Sequence, residues 1–288
     1  MPHTTLIIGC GDLGTEIALR LIARGDRVIG WRRRPPAEGS PIEFVPVDVT
    51  RPVALPHADI DRLVVCLAPR RDGSDDYTTT YLDGIRHVRD ACAERGRIPE
   101  RSVLVSSTAV YGDVVGTVDE RTPIPHPTAL SRSTGRAAVL LEAERLFADA
   151  FGDRGSILRC GGIYGPGRTH LLDRVRAGEA VIPAGSAMTN RIHRDDAAAA
   201  IVHLLELDEA APVYLGVDEE PAEMAEVLGF LADRLGAPRP ARGSVTRERG
   251  GSRACDSSLL RSTGFRFAYP NYRAGYADML ENPRPRHP

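Results

Sequence analysis

The chain has 288 residues and a formal net charge of −2, long enough to bury a large core as one elaborated domain or as a main domain with a smaller lobe. The near-neutral balance argues against a nucleic-acid or anionic-membrane partner, and no stretch approaches the roughly 20 apolar residues that span a bilayer. All 37 basic residues are arginine, which excludes Schiff-base chemistry, a phosphate-loop lysine and a lysine-assisted tyrosine.

In chain order, Leu6-Ile7-Ile8 reads as a buried parallel strand ending at glycine. Ile17, Ala18, Leu21 and Ile22 follow at helical spacing, and Gly25 stops that helix. Arg27–Trp31, Phe44–Val47, Leu63–Leu67, Ser102–Ser106 and Ser156–Arg159 read as five more strands. Helical patterns fall near residues 77–95 and 134–150. Strands alternating with helices predict a Rossmann-type α/β fold, a doubly wound parallel sheet with ligands at the carboxyl ends of its strands. After Gly165-Pro166-Gly167 the texture changes to short elements rich in Pro and Gly. The expected division is therefore a dinucleotide-binding domain over 1–165 and a smaller substrate lobe over 166–288. Within that lobe, residues 191–206 are expected to return as a helix against the main domain. The tail Asn282–Pro288 is expected to fray.

The pattern Gly9-Cys10-Gly11-Asp12-Leu13-Gly14 stands directly between the first strand and its helix, the context that makes such glycines a dinucleotide loop. Gly9 permits the turn, Gly11 admits the pyrophosphate, Gly14 lets helix and strand approach, and the helix N-terminus offers N–H groups to phosphates. At the end of the second strand, where NAD-selective folds place a carboxylate, the chain reads Trp31-Arg32-Arg33-Arg34. An arginine there can pair with a 2′-phosphate, so NADP(H) is expected over NAD(H), with Arg32 first and Arg33 next. Asp48 and Val49 are expected near the adenine, and Leu67, Ala68, Pro69 and Ser106 at strand ends beside the cofactor.

By these motifs the chain resembles the extended and atypical short-chain dehydrogenase/reductase superfamily, the NAD-dependent epimerase/dehydratase type. The further segments that carry the resemblance are Ser106–Gly112, Arg159–Arg168 and Asn190–Asp196. The resemblance implies that Ser107, with Thr108 beside it, holds the reacting oxygen. It also implies a Tyr-x-x-x-Lys pair whose lysine lowers the tyrosine pKa. That pair is missing: His126–Arg136 holds no tyrosine and no lysine. Arg136 can supply charge and a ribose contact but no proton at neutral pH, leaving Tyr111, Tyr164, His193 or a water on Ser107 as proton sources. The resemblance places Tyr164, Arg168, Arg191 and His193 on the substrate side, the substrate being a small hydroxyl or carbonyl compound such as a nucleotide sugar. It also implies a homodimer through the helices at 77–95 and 134–150. Two functions stay open, an NADP(H)-dependent oxidoreductase, epimerase or dehydratase and a catalytically silent NADP(H)-binding regulator. No residues stand at metal-ligand spacing. Five scattered cysteines and an amino terminus without a basic, apolar leader point to the cytoplasm.

Overall fold

The computed structural model describes residues 2–36, 39–69, 76–124, 135–244 and 252–287. The first half alternates as its apolar periods require: β1 (Thr4–Ile8), α1 (Asp12–Ile22), β2 (Arg27–Arg32), β3 (Glu43–Pro46) and β4 (Arg62–Val65). A wide helical turn, Thr79–Asp83, opens α2 (Gly84–Arg95). Then come β5 (Arg101–Ser107), a tight turn at Thr108–Tyr111, β6 (Gly116–Val118), α3 (Gly135–Phe151) and β7 (Gly155–Cys160). Of the segment His126–Arg136, only Gly135 and Arg136 fall within the described residues.

The second half holds β8 (Gly162–Tyr164), α4 (His170–Arg176), β9 (Ile182–Pro183), β10 (Met188–Thr189) and β11 (Arg191–His193). It continues with α5 (Arg194–Glu206), β12 (Val213–Gly216), β13 (Ala222–Glu223), α6 (Met224–Leu235), β14 (Arg242–Gly243) and β15 (Arg253–Cys255). Helices α7 (Ser258–Ser262) and α8 (Tyr272–Glu281) end the chain.

Seven strands form one sheet in the order β12–β7–β5–β4–β1–β2–β3, every neighbouring pair parallel. Side chains alternate between two cores, as the pleat dictates. Leu6, Ile8, Leu63 and Val65 face α2 and α3 with Ile85, Val88, Leu140 and Phe147. Ile7 and Val64 face α1 and α5 with Ile17, Leu21, Ile201 and Leu205. The alanines Ala197, Ala198 and Ala200 are fully buried and allow α5 to lie close along α1. The winding reverses between β1 and β4, which opens a crevice at their carboxyl ends.

Helices α4, α6 and α8 surround a separate core with Leu172, Val175, Leu231, Tyr276 and Met279. Two returns break the expected division at residue 166. Strand β12 completes the main sheet, and Leu260, Phe265 and Phe267 join the core beneath it. The tail also departs from expectation. Arg284, Arg286 and His287 are held by carboxylates of the main domain, so its last turns of chain pack instead of fraying. Among the described residues no helix is long and apolar enough to cross a membrane.

Candidate active site

A cavity of about 660 Å³ opens along the carboxyl ends of β1, β2, β4, β5 and β7, within the size range of sites for cofactors and small ligands. Its floor begins at the glycine loop. Gly9 has φ +82°, and a Cβ there would overlap the Cys66 carbonyl oxygen at the end of β4. Its N–H and that of Cys10 both donate to the Trp31 carbonyl, at 3.0 and 2.8 Å, tying the loop to β2. Gly14 lies behind the loop, where a Cβ would sit 3.0 Å from the Gly9 oxygen and 3.2 Å from Ile7 Cγ2. It does not line the cavity; it sets how closely α1 approaches β1.

Gly11 behaves differently. A Cβ at this position would meet nothing within 4 Å, and Gly11, Asp12 and Leu13 all line the cavity. Gly11 is the N-cap of α1 and supplies no capping side chain. The open space, the uncapped helix end and its positive dipole suit a diphosphate bridge, so the residues present fit a dinucleotide. Trp31, Arg32, Arg33, Asp48, Val49, Leu67, Ala68 and Ser106 also line the cavity, as does Arg34; Pro69 does not. The Arg32 guanidinium lies 5.7 Å from the Phe44 ring centre. Burial pushes the Asp48 carboxyl up, but hydrogen bonds from the Thr50 hydroxyl and N–H, with Arg33 and Arg51 nearby, hold it below the ordinary range.

At the end of β5, Ser107 lines the cavity and its Oγ accepts the Ala109 N–H at 3.2 Å. Neighbouring Ser106 donates to Glu144 Oε1 at 2.6 Å, and Glu144 receives Arg159 at 2.7 Å through Nη2. This buried pair also fixes Tyr111, whose hydroxyl accepts from Arg159 Nη1 and donates to the Asp119 carbonyl, both at 2.9 Å. Tyr111 is fully buried and is not part of the cavity lining; desolvation raises its pKa. Thr108 is buried too, its carbonyl taken by Arg253 Nη2 at 2.8 Å. Of the four residues expected to act in catalysis, the structure brings Ser107 and Arg136 into the cavity and leaves Thr108 and Tyr111 in its supporting wall.

Arg136, in the first turn of α3, lies 5.8 Å from the centre of the Tyr77 ring. Tyr77 in turn packs against Tyr81, ring centres 4.7 Å apart and planes tilted by 47°. Tyr77, Thr80 and Tyr81 line the cavity, and the Tyr81 hydroxyl donates to the Leu67 carbonyl at 3.1 Å. These residues were absent from the expected site, although an aromatic pair four residues apart after a strand end was a readable signal.

On the expected substrate side, Arg168 alone reaches the cavity, with its Nε 2.7 Å from Asp12 Oδ2. His193 is fully buried and caps α5, its Nδ1 accepting the Asp195 N–H at 3.2 Å. Its ring centre lies 3.9 Å from that of Tyr269 and 5.3 Å from that of Tyr164. Desolvation pulls its pKa down to about 4, so the imidazole is neutral at physiological pH. Tyr164 packs on Tyr276, and Arg191 is buried against Thr189 and Met224. Near them Asp218 is 2% exposed, and burial pushes its carboxyl up to about 8 against the pull of Arg191. These groups build the joint between sheet and lobe. Among the described residues no cluster of three or more His, Cys, Asp or Glu side chains could hold a metal ion.

Fold and cavity together define a Rossmann-type protein built for a dinucleotide. The chain belongs to the NAD dependent epimerase/dehydratase family, which it matches over residues 5–215, and that membership supports a nicotinamide dinucleotide as its cofactor. It is 32% identical over 286 residues to Protein YeeZ of Escherichia coli (strain K12), covering 92% of this chain and 96% of that one. A solved structure from Methylobacillus flagellatus, described as an NAD-dependent epimerase/dehydratase, is 32% identical with a TM-score of 0.78 and 98% of both chains covered. The 3-diazoavenalumate denitrifying reductase of a Streptomyces species is 32% identical over 200 residues, 65% of this chain and 64% of its own length.

Proposed function

We propose that the protein is a cytoplasmic NADP(H)-dependent oxidoreductase acting on a small hydroxyl or carbonyl compound. The observation that carries the cofactor choice is the rim of the cavity at the end of β2. Arg32, Arg33 and Arg34 line it and that strand end has no carboxylate, which favours a 2′-phosphate over a bare ribose hydroxyl. Five free cysteines support a reducing compartment.

When bound, nicotinamide supplies hydride chemistry. Ser107, fixed by its bond to Ala109, donates its hydroxyl hydrogen to the reacting oxygen of the substrate. Of the two tyrosines in the lining, Tyr81 spends its hydroxyl on the Leu67 carbonyl, and Tyr77, between Tyr81 and the Arg136 guanidinium, is the phenol assigned to the proton.

The name of the Streptomyces relative favours a second substrate class. An aryl diazonium that gains hydride and loses N2 becomes an arene with no alkoxide to protonate. Such a substrate needs no Tyr-x-x-x-Lys pair, and this chain has no lysine at all.

Fluorescence titration tests the cofactor. NADPH should bind at least ~10-fold more tightly than NADH, and Arg32→Ala should remove most of that difference, about what one charge-assisted pair contributes. Equal affinities in the unaltered protein would refute the selectivity. Absorbance at the nicotinamide band, followed over carbonyl compounds and an aryl diazonium salt, tests turnover. A protein that binds NADPH yet oxidises none of it across both sets is the non-catalytic regulator instead.

A further inference from the structure

Asp12, the residue after Gly11 in the glycine loop, has a buried carboxylate that gathers arginines from three distant parts of the chain. Arg168 Nε stands 2.7 Å from Oδ2, Arg286 Nε 3.2 Å from the same oxygen, and Arg194 Nη1 3.3 Å from Oδ1. The tail is fastened on either side of Arg286. The His287 N–H donates to Asp12 Oδ1 at 3.2 Å, and its ring Nε2 lies 2.9 Å from Glu16 Oε2. Arg284 binds Asp278 at 2.7 Å. Gly167 makes room for the crossing, since a Cβ there would overlap the Arg286 backbone. Pro283 and Pro285 limit the freedom the segment loses when it lies down.

Arg168 and Arg286 both line the cavity at the glycine loop. One carboxylate thus holds two guanidinium groups at the cavity wall where the start of α1, with no side-chain cap, also offers N–H groups to an anion. We propose that the carboxy-terminal segment is a strap of the dinucleotide site, and that Arg286 with Arg168 binds the diphosphate bridge. Asp12 positions both arginines and touches no phosphate itself. The proposal rests on the cofactor reading above. It extends that reading to a segment with no helical or strand pattern, where the sequence alone predicts a frayed end.

The diphosphate is common to NADPH and NADH, whereas the Arg32–Arg34 rim distinguishes them. That difference separates the two claims. Arg286→Ala should weaken NADPH and NADH by the same factor, about tenfold or more for a lost arginine–phosphate pair. Arg32→Ala should weaken NADPH alone. A chain ending at residue 283 should lose at least as much affinity as Arg286→Ala, and Arg286→Lys should recover part of it. Melting temperatures without cofactor should stay near that of the unaltered protein for both Arg286 variants, which shows that the loss is one of binding. Unchanged or tighter binding in Arg286→Ala and in the shortened chain, with the unaltered protein still binding NADPH, would overturn the strap. If the unaltered protein binds neither dinucleotide, the cofactor reading falls, and the strap with it.

Discussion

Gly9 and Gly11 stand two residues apart, yet a side chain at each should fail in opposite ways. At Gly11 the backbone is extended, φ −89° and ψ −150°, a region open to β-branched residues. Gly11→Val should cost folding only the cap preference, about 1 kcal/mol or less, or a few degrees of melting temperature in a chain this long. Its isopropyl group would instead fill the space left for the diphosphate, raising the NADPH Kd more than ~100-fold, or about 2.7 kcal/mol. At Gly9 the left-handed backbone costs an alanine about 1–2 kcal/mol. Forcing the Cys66 carbonyl aside adds roughly 1–3 kcal/mol. Gly9→Ala should therefore melt roughly 3–8 °C lower. One thermal-unfolding series reads both effects. At a hundred times its Kd, NADPH should stabilise the unaltered protein by about 2.7 kcal/mol and leave the Gly11→Val melting temperature in place. An NADPH-induced shift in Gly11→Val equal to that of the unaltered protein would refute the cradle.

Tyr111→Phe should retain turnover and lose about 2–4 kcal/mol of stability, as expected for two buried hydrogen bonds, one of them from a guanidinium; a turnover loss beyond tenfold would place Tyr111 in the chemistry. Glu144→Gln should cost roughly 3–5 kcal/mol, because it leaves Arg159 buried without its charge partner, and chemical denaturation measures it. Ser107→Ala should lower kcat while the NADPH Kd holds, and an unchanged kcat would remove Ser107 from the site. Two buried groups set opposing pH dependences. Below its ordinary 6.5, His193 is protonated only in the unfolded chain until pH falls to about 4, so it destabilises as pH drops through that window. Asp218 ionises only in the unfolded chain between 3.8 and about 8, so it destabilises as pH rises, by up to about 1.4 kcal/mol per pH unit. Asp218→Asn should raise the melting temperature at pH 8 and leave it nearly unchanged near pH 3, where the carboxyl is protonated in both states. An equal shift at both pH values would contradict the burial argument.

The glycine loop and the β2 rim were legible because they are local: strand, turn and helix lie within one short window, and each residue type answers one backbone or charge demand. The alternation of Leu6, Ile7 and Ile8 between two cores was equally readable. Features set by distant pairings were not. Tyr111 belongs to a recognisable motif, but its burial depends on Arg159 and Glu144, and nothing near residue 111 announces them. The Val213–Gly216 run is too short to stand out, and only the exposed edge of β7 makes it a strand. Arg286 lies among prolines with no periodicity, and its place depends on a carboxylate at residue 12.

The way β12 closes the sheet also constrains motion. The first excursion into the lobe leaves from β7 and comes back to its immediate neighbour β12, so both ends of that loop are clamped in adjacent rows of one rigid surface. Such a double tether resists wide swinging and leaves small sliding of the lobe over the crevice as the accessible movement. Synthesis from the amino terminus also releases the edge of β7 well before its partner exists, so the nascent sheet waits for most of the lobe to emerge.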